Sequence, residues 1–446
     1  MASPLPTHDQ VPIPIDASFA GDTKASAPGF PTALPLPLAD KATTQSISCM
    51  IEAEQLVPWS DLRPELVVLV LKRLPSLADR IRLRAVCHPW RSGTISHSQV
   101  LPRPFPWLTL PDGTFFSIPG GEVHCIPVPD GACCHGSIGS SLFLMSSDGA
   151  FSLLDPFSKT TLQLPNLVTA WQREIDDAHA AGVPVSYKLV APSPMGSSPK
   201  LLAAALNSGS GYSDNLCIIK PQVATFLFRL SAEPFPLVDF AFFDGRLHVV
   251  SEFFKLFIVD FSENLENNPN INCAIDSVGD ILGAPPYLNP MGCYELKQYL
   301  VESGGKLLMV QRFMISAGGF RDTNNQTVGF KVLEADMRTY PGQWRMVSDL
   351  GGHALFLGKQ SSKSLPAGEG CGPQADCIYF ICDYPCPEAS ANPLRDSGIY
   401  NMRSGTLRPL HSGTPAVPQR QAGQWGLTWF FPPEAVFQPS VVCRPF

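Results

Sequence analysis

The chain has 446 residues, of which 44% are hydrophobic and only 16% charged, with a formal net charge of −7. That length allows two or three domains, or one large repeat architecture behind a small module. The acidic balance argues against a chain that binds polyanions as a whole, and no run of eighteen apolar residues predicts a membrane span.

The N-terminus, MASPLPTHDQVPIPID, has neither a basic nor an apolar signal region, so secretion is not expected. The 13 cysteines are odd in number and irregularly spaced, often inside apolar runs such as CIYFIC, which fits reduced thiols in cytoplasm or nucleus. Residues 1–55 hold eight prolines within the first fifty positions and show no sustained periodicity. Such a stretch buries too little apolar surface to offset the entropy of ordering, and a disordered leader is expected.

Helical signals crowd into residues 59–90, WSDLRPELVVLVLKRLPSLADRIRLRAVCHPW. Leu62, Leu66, Leu69, Val70 and Leu74 recur at helical spacing. Pro64 suits a first helical turn, and Pro75 stops that helix. Ser76, with Asp79 three residues on, opens a second helix bearing Leu77, Ile81, Leu83, Ala85 and Val86, and Pro89 ends it and opens a third with Trp90. Three helices this short leave one apolar face for a partner. An apolar stripe is also what a module's own core requires, so both readings stand for each of these residues.

From about residue 103 the pattern changes to short strand-like runs joined by turn dipeptides. LFLMSSDGAFSLLD (142–155), VDFAFFDGRLHVVSEFFKLFIVDF (238–261) and YLVESGGKLLMVQRF (299–313) each read as strand, Asp-Gly or Gly-Gly turn, strand. Asp148 and Asp244 lie 96 residues apart, about two propeller blades. HALFLG, CIYFIC and GIYNMRSGTLRPL continue the hairpins, and only residues 170–182 read as a helix. Repetition over 103–440 predicts a β-propeller of six or seven blades, with a pair of sandwiches as the other arrangement.

Residues 59–93 resemble an F-box: the Asp-Leu start, Pro64-Glu65, a leucine-rich first helix, then SLADRIRLRAVCHPWRSG closing on Trp90. Three stretches downstream, GSSLFLMSSDGAFSLLDPFSKTTLQLP, WRMVSDLGGHALFLGKQSS and CIYFICDY with GIYNMRSG, are similar to the C-terminal KIB-like or kelch-like domain of a large plant F-box group. The resemblance implies a mainly β chain: a three-helix F-box over 56–100 followed by a propeller. It also implies a role, the substrate-recognition subunit of an SCF ubiquitin ligase. The F-box would dock on a Skp-type adaptor held by a cullin, and the propeller would take an unidentified target protein. The adaptor-binding residues it implies are Leu62, Pro64, Glu65, Leu66, Leu69, Leu74, Val86, Cys87 and Trp90. The alternative is a propeller scaffold or small-molecule binder with a vestigial F-box, suggested by Arg63, where the family usually has a small or apolar residue.

Other constellations are weaker. Seven Lys/Arg against three acids over residues 61–91 would suit DNA phosphates, but a solvated face is the plainer reading, and no nucleic acid is expected. Cys371, Cys377, Cys382 and Cys386 lack the paired hooks of a zinc site, so no metal or other cofactor is expected. Gly209-Ser210-Gly211 lacks the third glycine of a dinucleotide loop, and no catalytic motif stands. An enzymatic propeller would need Asp155, Asp239, Asp260 and Asp336 gathered at its axis.

Overall fold

The computed structural model describes residues 59–432, apart from 75–76, 97–103, 119, 126–127, 193–199, 208–211, 222–223, 230–236, 262–268, 277–293, 317–324, 369–371, 385–393 and 412–426. The expected leader, the serine cap at Ser76, and Gly209 to Gly211 lie outside the described residues.

The Asp-Gly and Gly-Gly dipeptides turn the chain as the sequence predicts. Asp244 and Gly245 take φ of 48° and 71°, and Gly304 and Gly305 take 56° and 76°. Both central residues are left-handed, the twist that matches flanking antiparallel strands. Around these turns Leu237–Phe243 pairs with Arg246–Ser251, and Glu295–Ser303 pairs with Lys306–Ser316. Asp148 and Asp244 are two blades apart, as their spacing predicts, but they occupy different turns of their blades: the first joins a second strand to a third, the second a first strand to a second.

Six blades form the propeller, five of them wholly antiparallel. Blade I runs from Trp107–Thr109 to Val123–Cys125, and blade II from Cys133–Ile138 to Thr161–Gln163. Blade III runs from Ser186–Val190 to Ala224–Arg229, and blade IV from Leu237–Phe243 to Asn270–Ile275. Blade V spans Glu295–Ser303 to Gln343–Met346, and blade VI His353–Leu357 to Thr406–Pro409. Blade I is completed from the far end of the chain, where Thr428–Phe430 pairs antiparallel with Trp107–Thr109. The proline-rich tail thus supplies the strand that closes the ring.

Blade VI departs from the simple meander. His353–Leu357 pairs in parallel with Cys377–Phe380, and Lys363–Pro366 folds back to lie outside that pair. The intervening turn, residues 358–362 (GKQSS), therefore lies at the axis and touches every blade. Ser361 Oγ donates to Trp429 O of blade I at 3.0 Å. Tyr212 of blade III donates to Lys359 O at 2.6 Å. Lys359 Nζ donates to Val238 O of blade IV at 3.0 Å and to Gln298 O of blade V at 3.4 Å. Lys359 N donates to Asp383 of blade VI at 2.9 Å. In blade II, Gly136 makes room for Gln360: a Cβ there would lie 3.1 Å from the Gln360 Cβ.

The apolar cores lie between neighbouring blades. Trp429 is fully buried with Phe356, Tyr379 and Ile381, and its indole donates to Leu357 O at 2.8 Å. The helix expected near 170–182 is Gln172–Ala180; with Trp171 it caps the core shared by blades II and III. N-terminal to the propeller lie α1 (Pro64–Arg73), α2 (Leu77–Ala85) and α3 (His88–Ser96), the three predicted helices.

Two measurements test this architecture. Replacing Trp429 by Ala should cost about 3–5 kcal/mol, seen as a lower urea midpoint. For Lys359, burial pushes the ammonium down from the ordinary 10.5 to about 8; Asp239 and Asp383 oppose the shift, and Lys297 and Lys188 add to it. The folded chain gives up this proton before the unfolded chain does, so the stability carried by Lys359 is full above the ordinary lysine range and is lost as pH falls through about 8. Relative to Lys359→Met, the parent chain should therefore gain up to about 1.4 kcal/mol per unit between pH 8 and 10. A difference between the two urea midpoints that stays flat with pH would contradict this account of the axis.

Candidate functional site

Helix α1 is apolar on two sides. Val67, Val68 and Leu71 are buried. On the other side Leu66, Leu69 and Val70 are 37%, 46% and 44% exposed. Their i, i+3, i+4 spacing makes them neighbours on one helix surface. α3 backs the helix: a Cβ on Gly93 would lie 2.9 Å from Pro64 Cβ, so only glycine allows this approach. The exposed leucines are thus held on a packed element rather than on a loose one.

The other expected residues divide into two groups. Pro64 and Glu65 are exposed in the first turn of α1, where the carboxylate meets the positive end of the helix dipole. Val86, between α2 and α3, is 63% exposed. Leu62, Leu74, Cys87 and Trp90 are half-buried. Trp90 has a structural task, since its indole donates to Trp59 O at 2.9 Å. Leu74 O accepts from Arg80 Nε at 2.8 Å, tying the end of α1 to α2. Trp59, 78% exposed, was not among the expected residues. A lone aromatic ahead of a helix carries no periodic signal. Arg63 precedes the first turn, exposed and without a side-chain capping bond, and its carbonyl accepts from Leu66 N at 2.9 Å.

The four aspartates do not gather at the axis. Asp155 caps a turn through Phe157 N and Ser158 N. Asp260 faces Arg246 at 3.5 Å, and Asp336 faces Arg345 at 2.7 Å. Asp239 alone is central and fully buried, with Lys188 Nζ at 2.5 Å and the amides of Phe240 and Leu300 as further donors. A second buried ion group joins blades V and VI: Arg312 meets Asp396 at 2.7 Å and Asp383 at 3.5 Å, and it lies over the Phe380 ring.

Cys377 and Cys382 are buried, and burial raises the Cys377 pKa. Cys371 and Cys386 lie outside the described residues. His135, beside Cys133 and Cys134, is half-buried near Phe143 and Tyr187, and burial of its ring pushes it down to about 4. Among the described residues no group of three or more His, Cys, Asp or Glu is placed to hold a metal.

Two known proteins are similar to this chain over most of its length. F-box protein SKIP23 of Arabidopsis thaliana is 24% identical over 402 residues, covering 79% of this chain and 91% of that protein. F-box protein At2g26160 of the same plant is 22% identical over 346 residues, covering 72% and 95%. The KIB1-4 beta-propeller family model matches residues 115–401, which take in all or part of each of the six blades. With that match spanning more than half its length, the chain belongs to the KIB1-4 beta-propeller family.

Proposed function

We propose that residues 59–96 act as an F-box that docks on a Skp-type adaptor, and through it on a cullin, while the propeller carries a protein to be ubiquitinated. The observation that carries this reading is the uncovered apolar surface of α1, with Leu66, Leu69 and Val70 in solvent while Val67, Val68 and Leu71 fill the module's own interior. Burying such a surface against a partner helix is favourable by about 1.5–3 kcal/mol per leucine, and a few such anchors dominate an interface of standard size. Two relatives named F-box proteins, each matched over most of its own length, support the same role.

On this reading the chain performs no chemistry. Its contribution is proximity, since holding target and ubiquitin carrier in one complex raises their effective concentration. The odd number and irregular spacing of the cysteines suit the cytoplasm or nucleus, where such complexes would form.

The decisive variant is Leu66→Glu with Leu69→Glu. Both positions are exposed, so the fold should be kept, with stability changed by no more than about 0.5 kcal/mol per site. Co-purification with a Skp-type adaptor should fall at least about a hundredfold. Trp90→Ala is a poorer probe, because its indole bond to Trp59 makes it part of the module's frame. Undiminished adaptor binding by the double variant would overturn the assignment to this face, and absence of any adaptor from the parent complex would favour a scaffold with a vestigial module.

A further inference from the structure

Helix α2 is seated on the propeller by its first residue. Leu77, only 1% exposed, belongs to the cluster formed by Trp107, Phe115 and Phe430 of blade I with Cys134, Leu142 and Leu144 of blade II. Phe430 is the last residue of the closing strand and lies opposite Trp107 in the register. Its ring stands 5.2 Å from Phe115, 6.0 Å from Phe157 and 6.4 Å from Trp107, centre to centre. At the rim Arg82 reaches Glu122 at 3.1 Å, and His124, 3.4 Å from the same carboxylate, stacks on Trp107.

The closing strand therefore has two apolar faces with different tasks. Trp429 turns into the core shared by blades I and VI, where it meets the axial turn through Ser361. Phe430, one residue on, turns to the opposite face of the strand and into the core beneath α2. The residue that closes the ring and the residue that completes the helical seat are chain neighbours. They cannot be placed independently.

We propose that ring closure and helix seating are one coupled event, so that the docking face of α1 is held in a fixed direction only on a closed propeller. Leu77 and Phe430 are the positioning residues. The functional consequence rests on the F-box reading: a bound target is presented at a set distance and angle from the adaptor. A propeller left open does not hold its adaptor face in register with its cargo. The coupling itself requires no adaptor.

Hydrogen–deuterium exchange on the free, full-length chain tests it. Phe430→Ala should speed amide exchange in α2 by roughly tenfold or more, while blades III to V keep their parent rates. Coupling is reciprocal, so Leu77→Ala should speed exchange in residues 428–430 in turn. Phe430→Leu keeps the strand apolar but removes the aromatic contacts; it gives the same pattern in milder form where the alanine variant does not fold. Helices that keep parent rates in the folded Phe430 variants would overturn the proposal, as would a closing strand indifferent to Leu77→Ala. Adaptor co-purification with the Leu66 and Leu69 variants is a separate measurement, so failure of the docking role and failure of the coupling give distinct results.

Discussion

A turn of five residues at the axis is the constraint on which the ring depends. Residues 358–362 send Lys359 to blades III, IV, V and VI and Ser361 to blade I, while Gln360 packs where blade II has a glycine. Neighbouring blades otherwise meet through apolar cores, which are tolerant of sliding and rotation. Hydrogen bonds from one short turn to five of the six blades are not. They fix those five blades relative to one turn, and the parallel strand pair of blade VI is the topological cost of bringing that turn inward.

Buried charge reinforces the same selectivity. Lys188 with Asp239, and Arg312 with Asp383 and Asp396, lie where solvent is excluded. Such pairs add little net stability, because desolvation offsets most of the attraction, but a partner left alone is strongly unfavourable. Sliding Leu237–Phe243 by one residue would turn Asp239 to the other face of its sheet and leave Lys188 buried without its counterion. The ions therefore discriminate among ways of stacking similar blades.

The hairpins were legible because their turns are chemically specific. Asp244-Gly245 and Gly304-Gly305 name positions where φ must be positive, and they join the strands predicted around them. The closing strand was not legible. Thr428–Phe430 is three residues long within a proline-rich tail, and its partner lies more than three hundred residues earlier, so no local pattern marks it. The axial turn reads as an ordinary polar connection, since nothing in GKQSS reveals that solvent will be excluded around it. On α1 the sequence PELVVLVLKR showed that apolar surface exceeds what one face needs. It did not show which side is covered, because Val67, Val68 and Leu71 carry the same signal as Leu66, Leu69 and Val70. Only the placement of α3, set by Gly93 against Pro64, breaks that symmetry.

The order of synthesis gives the closing strand a further meaning. Ribosomes work from the N-terminus, so Leu77 is synthesised roughly 350 residues before Phe430. At about 5–20 residues per second this is an interval of roughly twenty to seventy seconds. Throughout it Leu77 has no Phe430 to pack against. The helical segment is in this sense made well before the strand whose Phe430 shares a core with Leu77.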